Sequence, residues 1–237
     1  MPKLGINIDH VATVRQARGE TFPNPVDAAK VCEQAGAHSI VAHLREDRRH
    51  INDQDVIKLK KSVKTRFNLE MSISEDIVKI ACRLKPDQAT IVPEKRKELT
   101  TEGGLDVLRN SSKLKKIIKR LKEKGILVSL FIDPIKKQIK ESKNVGADSI
   151  ELHTGQYANA KTKLTRNKEL KKISTAAKFG KKIGIAVNAG HGLNYKNTRP
   201  IAKIKEIEEL NIGHSIISYS IFYGLKKAVK DMQELIK

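Results

Sequence analysis

The sequence predicts an α/β fold, a (β/α)8 TIM barrel, on three observations. Eight short apolar segments recur along the chain, amphipathic stretches with helical spacing alternate with them, and no linker or low-complexity tract interrupts the series. Alternating strands and helices imply parallel pairing with right-handed crossovers. Eight such units in 237 residues suit a closed barrel and one domain, residues 1–237. An open doubly wound sheet is the competing arrangement, but no GxGxxG follows the first strand to support a dinucleotide-binding version.

Taken in order, LGINID (4–9) is the first strand, and polar sequence follows it, so no secretory signal is expected. PVDAAKVCEQAG then reads as a helix with Pro at N1 and Gly at its stop. SIVAHL (39–44) and FNLEMS (67–72) are the second and third strands, and SEDIVKIACRLKP is a helix ended by Pro. ATIVP (89–93) is the fourth strand. The stretch 94–112, EKRKELTTEGGLDVLRNSS, is longer than an ordinary strand-to-helix connection. It reads as a flexible loop at the functional face or, equally, as a tolerated surface insertion. ILVSLFID (126–133), SIELHT (149–154), IGIAVNAG (183–190) and LNIGH (210–214) complete the series.

The formal net charge is +20, with 35 lysines against 12 arginines. Most lysines lie in stretches such as KLKKIIKRLKEK, where they alternate with apolar positions as on a solvated helix face. Aromatic residues make up 4% and are not interleaved with the basic runs, so no platform for stacking bases, and hence no nucleic-acid partner, is expected. No apolar run approaches the ~18 residues of a membrane span. Cys32 and Cys82 stand far from any CxxC spacing and suit core-filling thiols in a reducing, cytoplasmic setting.

Function in such a barrel gathers at the carboxyl ends of the strands. His10, His43, His50, His153, His191 and His214 all fall at or just after a predicted strand end, and of the seven histidines only His38 stands at a strand's start. Asp9 ends the first strand and Asp133 the fifth, while Glu70 and Glu151 lie within strands among apolar neighbours. Burial raises the pKa of such acids, and a raised Glu beside a His suits proton transfer near neutrality. For each acid alone, a core carboxylate satisfied by Arg or backbone donors is the alternative. The first strand ends in NIDH rather than HxH, and no HExxH occurs, so no metal or other cofactor is expected. A metal-dependent barrel hydrolase or lyase is the alternative enzyme. None of the eight predicted strands carries an internal lysine, so any imine takes its amine from a substrate. NAGHGLN (188–194) and NIGHS (211–215) follow strands seven and eight, where barrels of this class cradle phosphate. Arg15, Arg18, Arg45, Arg48 and Arg49 crowd the first two loops and point to phosphorylated substrates.

The stretches GINIDHVATVRQARG, HLREDRRHI, NLEM, VPEKRKELTTEGGLD, VSLFID, IELHTG, VNAGHGLNY and ELNIGH occur in this order along essentially the whole chain. They resemble the pyridoxine 5′-phosphate synthase family, ring-closing enzymes of one route to vitamin B6. The resemblance implies a (β/α)8 barrel with additional helices and a homo-octamer built from dimers. It implies condensation of 1-deoxy-D-xylulose 5-phosphate with 3-amino-2-oxopropyl phosphate, with release of phosphate and water. By the same resemblance His43 and Glu70 match general acid/base residues, His191 a proton donor and Glu151 a residue that stabilises the transition state. Asn7, Arg18, Gly192, Gly213 and His214 match positions that bind the amino-ketone phosphate. Asp9, His10, Arg45, His50 and Thr100 match positions that bind the pentulose phosphate.

Overall fold

A computed structural model describes residues 1–94 and 103–237. Eight parallel strands close into a barrel in chain order: β1 (Lys3–Asn7), β2 (Ser39–Leu44), β3 (Arg66–Met71), β4 (Gln88–Ile91), β5 (Leu127–Ile132), β6 (Ser149–His153), β7 (Ala186–Gly190) and β8 (Glu209–Ile212). β1 closes the barrel on β8, with Gly5 opposite Asn211. The predicted fold class is therefore present, strand by strand. β7 starts three residues later than predicted, because Ile183 caps the preceding helix and Gly184 turns left-handed at φ 73°.

Eleven helices surround the strands among the described residues. Three connections carry two each: α1 (Asp9–Arg18) with α2 (Pro25–Gln34), α7 (Gly155–Ala158) with α8 (Lys163–Lys182), and α10 (His214–Tyr223) with α11 (Leu225–Ile236). α3 (Asp53–Ser62), α4 (Glu75–Leu84), α5 (Val107–Lys122), α6 (Lys136–Asn144) and α9 (Thr198–Ala202) serve the others. Local chemistry sets their starts. The Asn24 side chain accepts from the Val26 N–H before Pro25 opens α2, and Asn52 with Asp55 forms a reciprocal cap on α3. The predicted 94–112 connection is shorter at its far end, since Asp106 caps α5 and its helix begins at Val107. Residues 95–102 of that stretch lie outside the described residues. Cys32 is buried as expected, whereas Cys82 is only half-buried; both are free thiols.

The strands alternate, with most of their apolar residues turned toward the helices. Ile6, Ile40, Leu69, Leu130, Ile150 and Leu210 belong to one apolar cluster and are fully buried. Val41 and Phe131 are the buried apolar residues on the lumen side, outside that cluster. The interior is otherwise polar, in contrast to the branched apolar filling common in this fold. Ser39 Oγ donates to Glu209 Oε1 at 3.1 Å, the Arg66 guanidinium pairs with Glu209, and Asn211 Nδ2 donates to Glu151 Oε2 at 2.6 Å. These bonds join β2, β3 and β6 to β8, strands that are not neighbours, so they cross the lumen. Gly5 makes room for them: a Cβ there would sit 2.1 Å from Asn211 Oδ1 and 2.6 Å from Ser39 Oγ. Asn68 Nδ2, Ser129 Oγ, Asn211 Oδ1 and Arg66 Nε are buried without a hydrogen-bond partner among the described residues.

Candidate active site

The carboxyl ends of β1, β2 and β3 bring four distant residues together. Asp9 opens α1, and its Oδ1 accepts the His43 backbone N–H at 2.8 Å. Its Oδ2 accepts from Asn7 Nδ2 at 2.9 Å, and the same amide reaches Glu70 Oε2 at 3.4 Å. His43 and Glu70 are register partners across β2 and β3. Burial pushes the Glu70 carboxyl well above the usual range, the charges of Glu151 and Asp9 add to the shift, and the Asn7 amide opposes it. Glu70 is thus suited to hold a proton near neutrality and to exchange it.

The other side of His43 is held by a residue that sequence reasoning missed. His43 Nε2 lies 2.8 Å from Glu94 Oε1, with both side chains under 10% exposed. Glu94 Oε2 accepts the Glu46 backbone N–H at 3.0 Å. Burial raises the Glu94 pKa, but the bond to His43, its charge, the Glu46 N–H and Arg45 outweigh that effect and leave it lowered. In the sequence Glu94 is the first residue of a charged run after strand four; its only signal was that it directly follows a strand end.

The remaining predicted residues ring this cluster from two sides. His50 lies 6.2 Å from His43 between ring centroids, and its Nδ1 accepts the Ile51 N–H at 2.8 Å. Burial lowers its pKa, with Asp9 opposing. His10 and His214 are 4.8 Å apart, and burial, then the His214 ring, lowers the His10 pKa against the pull of Asp9. Gly213 packs on Asn7: a Cβ would lie 2.9 Å from Asn7 Cβ and 3.0 Å from its carbonyl oxygen. Opposite, Glu151 is 2% exposed, and burial raises its pKa to about 7. A Cβ on Gly190 would lie 2.2 Å from Glu151 Oε1 and 2.9 Å from the Asn211 carbonyl oxygen, so glycine leaves the space that this carboxyl occupies.

His191 follows β7 in the left-handed region, φ 78°, a conformation unusual for a residue with a side chain. Thr154 Oγ1 donates to the carbonyls of Gly190, at 2.8 Å, and His191, at 2.5 Å, and so fixes this turn. The His191 ring packs 5.0 Å from that of His153, whose Nδ1 lies 3.1 Å from Asp133 Oδ1. Burial, with His153 adding, lowers the His191 pKa to about 4. Asp133 departs from the expectation of a raised strand-end acid, because its bond to His153 holds it below the usual range. Gly192, also at φ 78°, packs against Ala158 of α7.

The clustered arginines divide. Arg15 is 7% exposed and makes two 2.7 Å bonds to Asp55 and a third, at 3.0 Å, to the His50 carbonyl, so it ties α1 to α3 instead of facing a ligand. Arg45 is buried beside Asp47, 3.3 Å away, and Arg48 pairs with Asp53. Arg18 is exposed in the last turn of α1, joined by no hydrogen bond or ion pair to any other predicted residue among those described. Thr100 lies outside the described residues.

Among the described residues, one group of donors could hold an ion: Asp9, His43 and Glu70, with ligand atoms within 4.8 Å of one another. Its donor set suits a proton better. Both Asp9 oxygens already accept N–H bonds, and Glu70 is driven toward its neutral form, whereas cation ligands are ionised and free.

The sequence profile of the family described as "Pyridoxal phosphate biosynthesis protein PdxJ" matches residues 4–237. The chain belongs to this family. It is 56% identical to a protein of Geobacter sulfurreducens and 55% identical to one of Pelobacter propionicus, covering 100% of this chain and 99% of each relative. A third relative, from Blochmanniella pennsylvanica, is 55% identical over 99% of this chain and 96% of its own. All three are named pyridoxine 5′-phosphate synthase. Among solved structures, a KGPDC from Streptococcus mutans superimposes with a TM-score of 0.68 at 13% identity, covering 100% of this chain and 97% of its own. At that identity the likeness speaks for the fold alone.

Proposed function

We propose that the chain is a pyridoxine 5′-phosphate synthase, condensing 1-deoxy-D-xylulose 5-phosphate with 3-amino-2-oxopropyl phosphate and releasing phosphate and water. The observation that carries this reading is full-length identity of 55–56% to proteins of that name. The acid–histidine cluster at the barrel mouth supports it chemically. The substrate amine attacks the pentulose ketone, so the imine needs no enzyme lysine. Glu70, whose protonated form is favoured by burial, and His43 beside it move protons through the imine, enamine and dehydration steps. Phosphate leaves from the pentulose part, and the amino-ketone phosphate stays in the product. His191, neutral in its buried position, donates an N–H hydrogen bond to the oxygen departing as water, and Glu151 faces the charge that develops across the lumen.

In this reading Asn7, Arg18, Gly192, Gly213 and His214 bind the amino-ketone phosphate, and the unfilled N–H groups at the start of α10 support a phosphate there. Asp9, His10, Arg45, His50 and Thr100 bind the pentulose phosphate. Residues 1–237 act as one barrel domain without a cofactor. We further infer a cytoplasmic homo-octamer built from dimers; the exposed run Ile221, Phe222 and Tyr223 at the end of α10 supports an assembly surface. No helix among the described residues is long and apolar enough to cross a membrane.

The test is incubation of the purified protein with both phosphates and excess chelator, followed by mass spectrometry and phosphate release. Pyridoxine 5′-phosphate with equimolar phosphate is the expected result. Turnover that chelation abolishes and an added divalent ion restores would favour a metal-dependent barrel enzyme instead. His43→Asn and Glu70→Gln should each abolish turnover in a folded protein, and a near-normal rate in either would remove the role assigned to that residue.

A further inference from the structure

We infer that Glu94 is the positioning residue for His43, fixing the ring in the tautomer that carries hydrogen on Nε2 and leaving Nδ1 as the nitrogen that exchanges protons with substrate. The inference rests on the reading of His43 as an acid/base group and adds to it a partner and a working atom.

The geometry leaves little freedom. The Glu94 carboxylate bridges two groups: one oxygen meets His43 Nε2 at 2.8 Å and the other accepts the Glu46 N–H at 3.0 Å. A carboxylate held in its ionised form can only accept, so the hydrogen in the first contact belongs to Nε2. On the neutral ring Nδ1 then carries the lone pair. No hydrogen bond to another described residue occupies Nδ1, while the His43 backbone is pinned by Asp9 at 2.8 Å. One nitrogen of this ring and oxygens of Asp9 and Glu70 lie within 4.8 Å of one another, so the ring sits among the acids of the site. The titratable and charged groups around it are Asp9 from α1, Glu70 from β3, Glu94 beyond β4, and Arg45, Glu46 and His50 from the β2–α3 connection.

This is the logic by which a carboxylate orients a catalytic imidazole in other acid–base enzymes, reached here by a residue that follows the strand two places round the barrel from His43. Both partners are buried, 9% and 5% exposed, so solvent does not compete for the bond.

Glu94→Gln gives a sharp test because the Glu46 N–H demands an acceptor. The amide oxygen must turn to Glu46, which aims the NH2 group at His43 Nε2. That nitrogen must then accept, and the hydrogen moves to Nδ1, the wrong tautomer for a base at that atom. The experiment is solid-state NMR of protein labelled with 15N-histidine, with the His43 signal assigned by its loss in His43→Asn. We expect protonated Nε2 and unprotonated Nδ1 in the unaltered protein and the reverse in Glu94→Gln. In parallel kcat should fall about 10²- to 10⁴-fold, with KM changed less than about threefold. Protonated Nδ1 in the unaltered protein, or an unchanged tautomer in Glu94→Gln with normal kcat, overturns the proposal. An inverted tautomer in Glu94→Gln beside normal turnover by His43→Asn supports the Glu94 assignment and removes the catalytic reading of His43.

Discussion

Replacing Glu151 by Gln probes the electrostatics of the barrel interior. The side chain is 2% exposed, and burial lifts its pKa from 4.5 to about 7, with Glu209 adding and the Asn211 hydrogen bond opposing. An acid raised on folding holds a proton that the unfolded chain has already released. Its contribution is therefore present at low pH, declines as pH rises between the unfolded and folded values, and is constant above the higher one. At about 1.4 kcal/mol per pH unit, the interval from 4.5 to about 7 corresponds to roughly 3 kcal/mol lost by about pH 8. Gln keeps the shape and can still accept from Asn211, but has no proton to lose. Glu151→Gln should match the unaltered protein within about 0.5 kcal/mol near pH 4 and exceed it by roughly 3 kcal/mol near pH 8. Removing the Glu151 charge also eases ionisation of Glu70, which acts in the same direction. Urea unfolding at both pH values, with the m-value unchanged, reads the effect. A stability difference independent of pH, or a less stable variant near pH 8, would refute the reasoning.

Three further predictions concern other parts of the site. Arg15→Ala should cost about 3–5 kcal/mol because it strands the buried Asp55 carboxylate; Arg15→Ala/Asp55→Ala should recover at least about 1 kcal/mol of that in urea unfolding, and additive losses would contradict the buried pairing. Gly190→Ala, whose methyl would press on Glu151 Oε1 at 2.2 Å, should destabilise by about 1–3 kcal/mol and lower kcat at least about tenfold; unchanged kinetics would show that Glu151 can move without consequence. His191, lowered to about 4, should stay neutral from about pH 5.5 to 8 in an NMR titration of the ligand-free protein, and a midpoint near the ordinary 6.5 would contradict its burial.

The barrel was legible because the strand pattern is local: SIVAHL or ATIVP declares itself without knowledge of its partners. The start of α2 was similarly readable from Pro25, which stands at its first position. Asp9, His43 and Glu70 could be placed on one face by counting strand ends, and their joint hydrogen bonding through Asn7 follows once the strands lie side by side. What could not be read was pairing between side chains from different loops. Arg15 and Arg45 look alike in sequence, yet one meets Asp55 across a helix pair and the other stays beside the mouth. Glu94 was hidden for the same reason: nothing in EKRKEL distinguishes the glutamate that reaches His43 from its charged neighbours. Asp133 reads in sequence as one more strand-end acid, and its contact with His153, twenty residues on, which holds its carboxyl below the usual range, is not legible there.

Polar residues inside the strands and apolar ones outside make the hydrophobic core of this molecule a sleeve, not a plug. Heat stability then depends on the seam between staves and helices, where Ile6, Ile40 and Leu69 sit. The lumen can vary its chemistry without touching that seam. Exchanges among small polar residues at Asn68 or Ser129 should be tolerated by folding and felt in catalysis, while the reverse should hold for polar substitutions along the sleeve. Selection for a new reaction could therefore begin at the small polar positions of the lumen, whose side chains do not belong to that seam.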